Sequence, residues 1–176
     1  LTATVAPLKD DVYTALRSFL LGVLGDVTVI QGLGNRSPLP PSAFVAITAI
    51  GSYRIATNVD SDSDGYPSGP QVTNSEQSTR LDIQIDFYGP QSNDWATMVG
   101  TLFRDDYACE ALAPVCQPLY ADDPRMIPLI TAEDQYLERW TLNAAIQYNP
   151  VTTTAQSFAT TIDVHAVLVD AAFPPT

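Results

Sequence analysis

Histidine occurs once in this chain of 176 residues, cysteine twice, and lysine plus arginine only eight times. Each scarcity removes a class of chemistry. A Ser-His-Asp site would have to be built on His165 alone, and no G-x-S-x-G accompanies it. Set among strand-forming neighbours, His165 reads as a scaffold residue and not as a general base. Cys109 and Cys116 have six residues between them, which is neither a zinc spacing nor a redox C-x-x-C. They are expected to be reduced packing residues of a protein made in the cytoplasm. The 20 acidic residues leave a formal net charge of −12, which opposes adhesion to DNA phosphates and to anionic membrane surfaces. No apolar run approaches the roughly 20 residues that span a bilayer. The stretch Leu1–Pro7 has neither the basic nor the apolar region of a secretory signal.

What is present is the makings of one globular domain. Hydrophobic residues make up 45% and charged residues 16%, and the length suits a single core spanning 1–176 without disulfides or metal. A helix is expected over Lys9–Leu24, with Val12, Leu16, Phe19, Leu20 and Val23 on one face and Gly25 past its end. Val27–Ile30 and Phe44–Ile50 are expected strands, the second continuing through Tyr53 and Ile55; glycines and prolines shape the loop Gln31–Pro41 between them. Residues 57–77 are polar and acidic and are expected to form an exposed loop. In the next strand Leu81, Ile83, Ile85 and Phe87 alternate with Asp82, Gln84, Asp86 and Tyr88, so one face is buried and the polar one meets solvent or another subunit. A second helix follows, capped by Ser92 or Asn93, with Trp95, Met98, Val99, Leu102 and Phe103 on one face. Arg104–Pro128 reads as irregular with a short helical turn at Tyr107–Leu112. Strands over Gln135–Tyr148 and Thr161–Val169 complete the chain, and residues 171–176 form a frayed tail. The order of elements implies an α+β fold, a mostly antiparallel sheet with two amphipathic helices on one face.

The motifs that resemble binding sites fail on inspection. Asp60-x-Asp62-x-Asp64-Gly65 opens like a calcium loop, but the twelfth position is Gln71 instead of a bidentate glutamate, and Pro67 and Pro70 interrupt it. Gly32-x-Gly34 lacks the third glycine and the strand-to-helix setting of a dinucleotide site. Asp105/Asp106 and Asp122/Asp123 are simplest as surface charge. No catalytic residue, cofactor or metal is therefore expected.

An ordered set of segments carries a resemblance along most of the chain. It comprises Gln31-Gly32 with Asn35 and Pro38–Pro41, Phe44–Thr48, Gln84–Pro90 with Asp94-Trp95-Ala96, and Pro118–Asp123. It closes with Tyr136-x-x-Arg139-Trp140-Thr141-Leu142 and Gln147–Pro150. In this set the chain resembles the tail-terminator and neck proteins of tailed bacteriophages. The resemblance implies a hexameric ring on the last layer of tail-tube subunits, which stops polymerisation and offers a surface to the head connector in the virion. It implies assembly in the host cytoplasm, with DNA passing through a non-adhesive lumen. Asp60, Asp62, Asp64, Arg139 and Trp140 are the candidate interface or lumen residues. Two other readings stand beside it: a stopper or head–tail joining ring one layer closer to the head, and a small secreted ligand-binding β-rich domain.

Overall fold

The computed structural model of the chain describes residues 2–34, 39–63, 69, 71–130, 136–156 and 164. Its elements in order are β1 (Thr4–Ala6), α1 (Lys9–Leu24), β2 (Thr28–Gln31), β3 (Phe44–Arg54), β4 (Val59–Ser63), β5 (Val72–Glu76), β6 (Thr79–Tyr88), α2 (Ser92–Leu102), α3 (Asp106–Leu112), β7 (Gln117–Ala121), β8 (Arg125–Met126), β9 (Leu129–Ile130), β10 (Tyr136–Leu137), β11 (Arg139–Tyr148) and β12 (Val151–Ala155). The fold is α+β with mostly antiparallel sheets. The expected last strand, Thr161–Val169 with His165, and the tail 171–176 lie outside the described residues, apart from the exposed Val164.

The larger sheet runs β2-β3-β6-β11-β7, with β8 also paired to β11. Its core face is built by period-two alternation: Val45 and Ile47 from β3, Leu81, Ile83, Ile85 and Phe87 from β6, and Leu142, Ala144 and Ile146 from β11 all join one cluster of buried side chains. α1 covers this cluster with Val12, Leu16, Phe19 and Leu20. The Asp11 carboxylate accepts the Leu8 backbone N–H at 2.7 Å and so fixes the start of that helix. Phe19 meets Phe103 edge-on, with ring centroids 5.9 Å apart, and ties α1 to the end of α2.

Several expectations are corrected. Met98 is 43% exposed, because α2 settles on its stripe Ser92, Ala96, Val99 and Gly100, and Met98 lies on the far side of the helix from that stripe. The helical turn at Tyr107–Leu112 is a third helix, α3, on the same side of the sheet. The segment expected to be irregular after it contains β7 and β8. β7 occupies the sheet edge, where Pro118 is tolerated and a register shift opposite Ala145/Ile146 disrupts the alternation that a sequence reading needs. The strand expected from Gln135 is divided at Glu138, whose carbonyl accepts from Gly89. β2 and β3 pair in parallel, so the chain must travel back along the sheet between them, which explains the length of the glycine- and proline-rich loop.

The expected loop 57–77 contains β4 and β5, paired residue for residue from Val59↔Glu76 to Ser63↔Val72. They belong to a second sheet, β1-β12-β5-β4. Its strands β4, β5 and β12 prolong β3, β6 and β11 in the same lateral order. Bonds from Ile55 N–H to the Ser78 carbonyl and from Gln77 N–H to the Pro150 carbonyl, both 3.0 Å, carry the ladder across the junction. Ser, Thr and Asp suffice here because β4 has no buried face, so no apolar alternation marks the strands.

Candidate functional site

On the face of the larger sheet opposite the helices, register sets three rows side by side: Phe44, Tyr88 and Arg139; Ala46, Asp86 and Thr141; Thr48, Gln84 and Asn143. Asp86 is the centre of a polar network. Its Oδ1 accepts from Arg139 Nη2 at 2.9 Å and Nε at 3.1 Å, and from Thr141 Oγ1 at 2.6 Å. Its Oδ2 accepts from Gln84 Nε2 at 2.8 Å. The Arg139 guanidinium also lies over the Tyr88 ring, 5.7 Å from its centroid, and that ring stacks on Phe44 at 4.3 Å. Burial first, and then the Asp86 carboxylate, push the Tyr88 phenol up from its ordinary pKa, while Arg139 opposes them.

Phe44, Gln84, Asp86, Tyr88 and Arg139 line a pocket of about 800 Å³ whose wall is completed by Ile30–Gly34 and Leu39. Gly32 is required in that wall: its N–H donates to the Ile47 carbonyl at 2.7 Å, and a Cβ there would lie 1.9 Å from Thr48 Oγ1. Leu33 next to it has a positive φ of 63° and is 87% exposed. Among the described residues the pocket is lined by no cysteine, serine, lysine or histidine. Asp86, the one carboxylate among its described lining residues, has both oxygens engaged by fixed donors, so it is arranged as an ion-paired scaffold and not as a base poised over a substrate.

Sequence reasoning expected Asp86 to face solvent or a second subunit, yet it is 4% exposed, because Arg139, Thr141 and Gln84 satisfy it in place of water. The signal that could have found the pair is Arg139 itself: an arginine opening an otherwise apolar strand requires an acid on the same face of a neighbouring strand. Trp140, on the other face, packs against the core, and its indole N–H donates to Glu138 at 3.0 Å. Asp60 and Asp62 are far from this network, exposed on β4, where Thr73 donates to Asp62 at 2.6 Å. Asp64 lies outside the described residues. Among the described residues no three His, Cys, Asp or Glu side chains are grouped to hold a metal ion. Asp105 and Asp106 begin α3, where a helix N-terminus favours negative charge, and Asp123 pairs with Arg104 at 3.1 Å. Cys109 and Cys116 are unpaired.

Gln84, Asp86, Tyr88, Arg139, Thr141 and Phe44, drawn from three separated segments of the resemblance, thus meet around one ion pair. A family model described as phage neck terminator protein matches residues 10–170. The chain belongs to the phage neck terminator family. A search of the curated proteins finds no match. Membership supports a structural role for the chain in the phage tail and neck. No described helix is long and apolar enough to cross a membrane.

Proposed function

We propose that this family member assembles into a closed ring, a hexamer, on the last layer of the tail tube, where it ends polymerisation and joins the tail to the head connector or another neck protein. The observation that carries the reading is the family match over nearly the whole chain. A tube of stacked rings exposes the same adhesive face after each addition, so growth stops when a ring binds that face and presents a different one. Such a protein acts through geometry and needs neither enzymatic activity nor cofactor. The net charge of −12 suits a lumen through which DNA slides without specific binding. Assembly takes place in the host cytoplasm before the virion is complete. In this reading Asp60, Asp62 and Asp64 lie at a subunit interface or the lumen, while Arg139 holds the open face that neighbouring subunits meet and Trp140 anchors the same strand to the core beneath it.

Removing the protein from an infection tests this. Filled capsids unjoined to tails, together with tails of irregular and often excessive length, are expected in electron micrographs. Unjoined tails of normal length would instead assign it to a joining ring.

A further inference from the structure

Among the described residues, the four-stranded sheet ends on either side in a strand that is entirely exposed, β4 at one edge and β1 at the other. Open edges are templates for pairing, and proteins guard them with proline, lysine, bulges or a covering element. β4, Val59-Asp60-Ser61-Asp62-Ser63, has neither proline nor lysine, and its pairing with β5 runs without a bulge. Its two carboxylates guard it against one partner in particular. Two copies of β4 paired antiparallel about Ser61 would place Asp60 opposite Asp62 twice, an arrangement of directly facing like charges. An uncharged strand meets no such barrier, and β1, Thr4-Val5-Ala6, is uncharged.

Direction and face agree as well. Every neighbouring pair in the sheet is antiparallel. With two strands between them, β1 and β4 therefore run in opposite senses. A copy added head to tail then brings its β1 antiparallel to β4, and the alternation continues across the junction. Following the register across the sheet puts Val5 on the face of Asp60 and Asp62, and Thr4 and Ala6 on the face of Ser61. We propose that β4 of one copy pairs antiparallel with β1 of the next, joining the small sheets of successive subunits into one continuous ladder. The contact uses two different surfaces, so it propagates from copy to copy instead of ending at a dimer, as a ring requires. It rests on the ring reading proposed above. A few backbone bonds without an apolar core make each junction weak alone, so it forms when subunits are held side by side on the tube.

Cysteine pairs test this. Thr4→Cys or Ala6→Cys is combined with Ser61→Cys, assembled particles are oxidised, and the protein is run on denaturing gels without reductant, with the parent chain treated identically. Within one chain the two edges are about 14 Å apart, three strand spacings, too far for a disulfide. At least one double variant should give a ladder of covalent multimers ending at the ring size, while each single variant stays at the parent's pattern. A covalent dimer from Ser61→Cys alone would mean two-fold β4 pairing and overturn the proposal. So would failure of both double variants to cross-link in particles where microscopy displays the ring; the terminator reading would survive that outcome. Particles that contain the chain but no ring of it would overturn both. All three positions are exposed, and unchanged melting of the single variants verifies that they fold.

Discussion

Arg139→Ala should destabilise the isolated chain far more than the loss of a surface arginine would. The Asp86 side chain is 6% exposed and that of Arg139 19%, so truncation leaves a buried carboxylate with Thr141 and Gln84 as donors but no counter-charge. Breaking a buried pair in this way costs about 3–5 kcal/mol, and water entering beside a partly exposed guanidinium favours the lower end of that range. At about 2–4 °C per kcal/mol for a chain of this size, a loss near 3 kcal/mol lowers Tm by about 6–12 °C. Differential scanning calorimetry of the purified variant reads this directly. Removing the carboxylate as well separates charge from packing: Arg139→Ala with Asp86→Asn should be less destabilised than the two single losses combined, by about 1 kcal/mol or more. A drop below about 2 °C for Arg139→Ala, the size expected of an exposed salt bridge, or strict additivity in the cycle, would refute the claim that this network holds the open face together.

Gly32→Ala places a Cβ 1.9 Å from Thr48 Oγ1 and should cost about 1–3 kcal/mol in chemical denaturation. Thr48→Ala in the same chain should restore part of that loss, and no restoration would place the strain elsewhere. Ser92 is fully buried, and its Oγ has no hydrogen-bond partner among the described residues, so Ser92→Ala should raise stability by about 1 kcal/mol; a destabilised variant would reveal a partner for the hydroxyl. Burial pushes the Cys116 thiol from 9.0 up to about 11, so between these values the folded chain holds a proton that the unfolded chain has lost. Its contribution to stability is intact below pH 9 and is lost as pH rises toward 11. Cys116→Ala should flatten that limb of the denaturation profile, and an unchanged slope would mean that the loss comes from another group.

By itself the sequence determined whatever repeats at short range. The heptad-like spacing in α1 and the strict alternation from Leu81 to Phe87 each require one buried face, and a face of that kind has a single way to be satisfied locally. The scarcity of histidine, cysteine and basic residues likewise set expectations about chemistry without reference to any fold. The ordered segments pointed to the family, although none of them named a site. Only the tertiary structure decided what depends on neighbours distant in the chain. β4 and β5 are strands because β3 and β6, which they prolong, arrive already paired antiparallel; their serines, threonines and aspartates carry no periodic signal, since β4 buries no face. β7 escaped notice for a related reason, its proline and register shift being tolerated at an edge. Asp86 looked like one more polar position facing water, and it became the buried centre of the open face because β11 sets Arg139 and Thr141 against it from more than fifty residues away. An alternating pattern records which side of a strand a residue occupies, whereas the partner that waits there is fixed by register between strands, a property that no single segment contains.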